Sequence, residues 1–217
     1  MLVVLSASEQ DITALTTEDC ALFDLLEIRL DLCSREFLLE RADAFISRTG
    51  KPLILTYRLP ADSDQKGASI RDPEEIRAFL DRHNLPSNYI DVEFGNNNPF
   101  FTGYTDSGYK KIYSFHDFHS TLTYEQMMDL IPTAPGADIF KFAVTPSTAG
   151  ELAAFLQDIK KLNNEGYKTA GIAMGEKGII SRVFGDKYLS ALTYCSLNES
   201  RAPGQITIRD FQLFRAD

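Results

Sequence analysis

Ala137-Asp138-Ile139-Phe140-Lys141-Phe142-Ala143-Val144 is a short apolar run between turn residues, with one amine in its middle. A run of this length and composition reads as a buried strand, where an amine is costly unless it is used. Similar runs occur near Leu2–Leu5, Leu25–Leu30, Pro52–Tyr57, Tyr89–Phe94, Lys111–Ser114, Lys168–Ala173 and Ala191–Tyr194. Helical patterns separate them. Asp72-Pro73-Glu74-Glu75 starts as a capped helix with proline at its first position, and Thr123-Tyr124-Glu125 starts with a threonine cap. Ser147 to Leu162 is the longest amphipathic stretch, with Leu152, Phe155, Leu156 and Ile159 on one face. Strands alternating with helices predict an α/β chain with a parallel sheet, closed as a compact (β/α)8 TIM barrel. A doubly wound open sheet is the structural alternative. The connection Gly95–Tyr109, rich in Asn, Gly and Pro, predicts an abbreviated fourth βα unit.

At 217 residues, with 44% hydrophobic and 24% charged side chains, the chain is expected to form a single catalytic barrel domain over residues 1–217. Met1-Leu2-Val3-Val4-Leu5-Ser6 opens directly on a strand, so no N-terminal extension and no basic signal region are expected. No apolar run is long enough to span a membrane. Cys20, Cys33 and Cys195 suit a reducing cytoplasm as buried small hydrophobes, and no ligand spacing links them to the histidines. The net charge of −9 argues against a nucleic-acid partner. It also means that an anionic small molecule would need a locally positive pocket.

Barrel active sites lie at the C-terminal ends of the strands. The polar residues predicted there are Glu27, Arg29 and Asp31; Thr56 and Arg58; Asp91 and Glu93; His116; Lys141; Met174; and, in following loops, Arg182 and Gln205. A lysine amine attacks a ketone only when neutral, which burial and nearby cations favour. Taken alone, Lys141 could instead be a lysine that snorkels at a strand edge. His116, closing Ser114-Phe115-His116-Asp117, suits removal and return of a proton near neutrality. Asp117 should face away from it, since strand side chains alternate. Glu27, Arg29 and Asp31 alternate onto one face, either as an internal salt bridge or as a polar floor under a ligand. Arg58 and Arg182 are forked cations fit for a carboxylate. Gly175 and Gly178 in Met174-Gly175-Glu176-Lys177-Gly178 could instead cradle a phosphate.

In this order, these segments resemble the type I 3-dehydroquinate dehydratases. The resemblance runs through Glu27-x-Arg29-x-Asp31, Thr56-x-Arg58, Asp91-x-Glu93, Ser114-x-His116-Asp117, Asp138 with Lys141, Met174 to Ser181-Arg182, and Ala202-Pro203-Gly204-Gln205. It implies a Schiff-base lysine at Lys141, an acid/base histidine at His116, and substrate-binding groups at Glu27, Arg29, Arg58, Arg182 and Gln205. Ser6, Asp62 and Met174 are further candidates. Asp62 stands where the family has a glutamate that supports the histidine, and Arg201 where it has a serine before Ala-Pro-Gly-Gln.

The implied activity is dehydration of 3-dehydroquinate to 3-dehydroshikimate in the shikimate pathway of chorismate and aromatic amino-acid biosynthesis. It would need no cofactor or metal, be carried out in the cytoplasm, and involve neither nucleic acid nor membrane; relatives are often homodimers. Leu59 to Ala68, small and mixed in charge, is expected to act as a lid. Two rivals remain at this stage: a Schiff-base aldolase acting on a phosphorylated sugar, and a silent barrel that binds a metabolite.

Overall fold

The computed structural model describes residues 1–59, 72–95, 98–200 and 202–215. Eight strands run in chain order: β1 Leu2–Ala7, β2 Leu25–Arg29, β3 Leu53–Thr56, β4 Tyr89–Glu93, β5 Lys110–His116, β6 Ile139–Val144, β7 Thr169–Ala173 and β8 Leu192–Cys195. The helices are α1 Glu9–Ala14, α2 Thr17–Cys20, α3 Ala42–Thr49, α4 Arg77–Arg82, α5 Tyr124–Leu130, α6 Ala149–Asn164, α7 Ile179–Val183 and α8 Ile208–Leu213. All strand pairs are parallel, in the order β7-β6-β5-β4-β3-β2-β1-β8. This is a nearly closed barrel, not a doubly wound open sheet.

Most of the strands form because their residues suit burial on both faces, whereas β5 is fully buried only at Ile112 and Ser114. β2, β3 and β7 are buried at every position, as expected for parallel strands under a coat of helices. Val4, Leu25, Ile54, Ile112, Ile139 and Leu192 belong to the cluster that fills the barrel interior. Outside it, Leu152, Phe155, Leu156 and Ile159 of α6 are buried with Phe142 and Val144 of β6 in a separate cluster. α6 starts at a capping box between Thr148 and Glu151, and α5 at one between Thr123 and Gln126. The Asp72 cap holds as well, but its first turn, Pro73–Ile76, is a 3-10 turn that leads into α4. Between β4 and β5 only a 3-10 turn, Pro99–Phe101, is found among the described residues, in keeping with the abbreviated unit.

The barrel's seam lies between β7 and β8, which form no ladder. Two β7 amides that face the seam are satisfied by side chains: Gly171 N–H donates to Ser190 Oγ at 3.1 Å and Ala173 N–H to Ser181 Oγ at 2.9 Å. Cys33 and Cys195 are buried, whereas Cys20 is only half-buried, short of the burial expected for all three. No helix among the described residues is long and apolar enough to cross a membrane.

Candidate active site

A cavity opens at the C-terminal ends of the strands, lined by Ser6, Glu27, Arg29, Arg58, His116 and Lys141 from β1 to β6, and by Met174, Arg182, Tyr194 and Gln205 beyond. Every described residue singled out in the sequence as a catalytic or substrate-binding candidate is on this wall. Asp62, Arg201 and most of the expected lid lie outside the described residues. Arg182 was expected in a loop but is on α7, and Asp31 follows the end of β2 in a 3-10 turn.

Lys141 is buried, and its Nζ donates to Asp91 Oδ2 at 2.6 Å. Asp91 Oδ1 accepts from Arg58 Nη2 at 2.7 Å and from the Ser114 hydroxyl. The other arm of Arg58, Nη1, donates to Glu93 Oε2 at 2.7 Å. Glu93 in turn receives His116 twice, from the backbone N–H at 2.9 Å and from Nδ1 at 2.8 Å. An unbroken line of polar contacts therefore runs from the amine to the imidazole. Its two cations and two carboxylates balance when the imidazole is neutral.

That balance sets the protonation states. Burial works to raise the Asp91 carboxyl, but Arg58 and Lys141 hold it well below the usual carboxylate range. Glu93 is likewise desolvated, yet His116 and Arg58 hold it low. Burial, with Arg58 nearby, pulls the His116 imidazole down to about 4 against the opposing effect of Glu93. At neutral pH His116 is therefore neutral. With Nδ1–H donating to Glu93, its lone pair is on Nε2. Asp117 faces elsewhere: its carboxylate accepts from the backbone N–H groups of His119 and Ser120.

The remaining cations differ sharply. Arg29 is paired bidentately with Asp31, at 2.9 and 2.7 Å, so it is an internal salt bridge and a wall of the cavity at once. Glu27 accepts from the Thr56 hydroxyl at 2.8 Å. Arg182 is 1% exposed and has no carboxylate partner among the described residues. It donates only to the backbone oxygens of Tyr194, at 3.3 Å, and Pro203, at 3.4 Å, while its Nε has no partner there. Desolvation pulls its pKa down to about 10. A buried guanidinium in this state is a vacant anion clamp.

Two glycines bring this clamp together. A Cβ on Gly178 would lie 2.1 Å from the Ala173 oxygen, and one on Gly204, at φ +73°, 2.1 Å from the Gly175 oxygen. Their absence lets the turn after β7 pack against Ala202–Gln205. Gly175 N–H donates to Pro203 O and Gly178 N–H to Gly175 O, at 3.1 and 2.9 Å. Both amides are thus engaged within the protein, which does not favour the phosphate cradle considered for this turn.

Sequence reasoning placed Asp91 and Glu93 at the mouth without giving either a role, and it passed over Tyr194. The one available signal was the alternation Asp91-x-Glu93, which puts both carboxylates on one face of β4.

Comparison with known proteins adds an independent line. The family model for type I 3-dehydroquinase matches residues 1–214. A 3-dehydroquinate dehydratase of Salmonella agona is 30% identical over 234 residues, covering 97% of this chain and 90% of that protein. A chloroplastic bifunctional 3-dehydroquinate dehydratase/shikimate dehydrogenase of Arabidopsis thaliana is 31% identical over 86% of this chain, which spans only 31% of the plant protein. The crystal structure of the 3-dehydroquinate dehydratase from Aquifex aeolicus matches with a TM-score of 0.75 at 25% identity, covering 99% of this chain and 97% of that one.

Proposed function

The chain belongs to the type I 3-dehydroquinase family, hydro-lyases of aromatic biosynthesis, and from that premise we propose that it dehydrates 3-dehydroquinate to 3-dehydroshikimate through a Schiff base on Lys141. The barrel formed by residues 1–217 is the catalytic unit. The observation that carries the reading is one cavity in which a buried amine, a neutral imidazole and an uncompensated guanidinium converge.

The substrate carboxylate binds Arg182, with the Gln205 amide beside it. Glu27 and Arg29 meet ring hydroxyls, while Arg58 has both arms engaged by Asp91 and Glu93 and acts mainly by fixing those carboxylates. Lys141 condenses with the C3 ketone. The resulting iminium sits against Asp91, an anion already 2.6 Å from Nζ, and draws electrons from the neighbouring C2–H bond. Nε2 of His116 takes the C2 proton and then gives it to the C1 hydroxyl, which leaves as water. Hydrolysis of the imine frees the product. A positioned acid/base contributes roughly 10²–10⁴-fold, so the iminium supplies much of the remainder.

Borohydride reduction in the presence of 3-dehydroquinate tests the reading. It should add the reduced substrate mass to Lys141, and Lys141→Ala should take no label and lose turnover while keeping its circular dichroism. A folded Lys141→Ala protein retaining activity within about tenfold of the parent would rule out imine catalysis.

A further inference from the structure

Tyr194, on β8, lines the same cavity, is 7% exposed, and has a hydroxyl with no hydrogen-bond partner among the described residues. Its ring faces the nucleophile, with Lys141 Nζ 4.8 Å from the ring centroid. Its backbone oxygen accepts from Arg182 Nη1, so the residue that carries this ring also contacts the vacant anion clamp. Neither nearby carboxylate takes this proton: Glu27 Oε1 accepts from Thr56, and Asp91 accepts from Lys141, Arg58 and Ser114. Burying a hydroxyl with no partner is unfavourable, and phenylalanine would fill the same space without that cost. The oxygen is therefore poised for an acceptor that arrives with the ligand, on a ring whose centroid is 4.8 Å from the nucleophile.

We propose that the Tyr194 hydroxyl is a catalytic hydrogen-bond donor to the ketone oxygen at the carbon attacked by Lys141, and that it holds this oxygen until it departs as water. This rests on the Schiff-base reading above. Neutral His116 first takes one proton from the Lys141 ammonium, which frees the nitrogen lone pair; the N–C3 bond then forms as the C3–O π pair moves onto oxygen, and the oxygen takes that proton back from His116. The C3–O bond then breaks, the oxygen leaves as water with a second proton from the same nitrogen, and the nitrogen lone pair closes the iminium. The two protons lost by the ammonium are the two carried by the water, and neutral His116 can relay them. Tyr194 keeps its own proton throughout. Burial, reinforced by the Glu27 and Asp91 charges, holds the phenol well above its ordinary range, so it donates a hydrogen bond without ionising.

Tyr194→Phe removes one oxygen and leaves the ring over Nζ. Rapid mixing with 3-dehydroquinate, quenched by borohydride, should show imine formation slowed by roughly tenfold or more, as for loss of one donor to a developing oxyanion. A deuterium isotope effect at substrate C2 should shrink toward unity, because imine formation then limits turnover. Substrate affinity in a Lys141→Ala background should change by less than about threefold when Tyr194→Phe is added, a split that a merely structural hydroxyl would not give. The variant's melting temperature should not fall. Imine formation within about twofold of the parent with an unchanged isotope effect would overturn the proposal, as would a clear drop in melting temperature, which would reveal a structural partner for the hydroxyl. A parent enzyme that traps no adduct would overturn the Schiff-base reading itself, and this proposal with it.

Discussion

Replacing Arg182 by methionine should separate stability from binding. The guanidinium is 1% exposed and, among the described residues, makes only two long hydrogen bonds, to Tyr194 O and Pro203 O. Its pKa falls from 12.5 to about 10 through desolvation. At about 1.36 kcal/mol per pH unit, keeping this charge in the fold costs about 3 kcal/mol. The folded pKa lies below the unfolded one, so the full cost is present below pH 10 and disappears only as pH rises through the interval to 12.5. Methionine retains most of the volume and gives up two long bonds worth about 1 kcal/mol together. Arg182→Met should therefore be unchanged to about 2 kcal/mol more stable at pH 7. Loss of the charged clamp should meanwhile cost about 1.5–3 kcal/mol of substrate binding, raising KM roughly 10- to 150-fold. Urea denaturation and steady-state kinetics on both proteins measure the two quantities. A carboxylate-bearing product analogue should raise the urea midpoint of the parent and leave that of the variant nearly fixed. A variant destabilised by more than about 1 kcal/mol with KM unchanged would refute the reasoning, because that is the signature of a structural ion partner.

His116→Ala should still accumulate a borohydride-trappable imine but stall at proton removal, with kcat down roughly 10²–10⁴-fold; failure to trap an adduct would mean that His116 is needed before the imine forms. With the imidazole at about 4, kcat/KM should hold as pH falls through 6.5 and decline only near 4. Over the same interval the unfolded chain takes up a proton that native His116 refuses, so about 3 kcal/mol of stability should be lost between pH 6.5 and 4, measurable by urea titration at each pH. Glu93→Gln removes the charge that favours the imidazolium, so the acid limb of kcat/KM should move lower still, with kcat reduced and KM little changed. A limb that moved up would assign Glu93 a different part.

The barrel was legible because buried parallel strands are written as apolar, β-branched runs, and the eight expected strands match the observed ones within a few residues. β5 is the instructive case. It extends to His116 although Ser114 and His116 are polar, since both face the barrel interior and find partners there: Ser114 bonds to Asp91 and His116 to Glu93. The seam at β7 and β8 could not be read. It depends on Ser181 and Ser190, which lie outside both strands and cap amides reached only when the sheet curls round.

The site divides along the same line. Relations within a strand and at its end were readable from the period of two: Asp91 and Glu93 converge on β4, and Asp117, just past the end of β5, diverges from His116. Relations between strands were not, because Arg58 meets its carboxylates across 33 and 35 residues of chain, and Lys141 meets Asp91 across 50. A sequence can therefore nominate charged residues at a barrel mouth but cannot show which of them cancel. Arg29, Arg58 and Arg182 look equivalent as candidate clamps, and only the fold distinguishes them: the first two arrive neutralised, by Asp31 and by Asp91 with Glu93, while Arg182 has no carboxylate partner among the described residues. A chain of net charge −9 can thus present a locally positive spot at one wall of its cavity through Arg182, because the surface carboxylates are screened by water and the desolvated guanidinium is not.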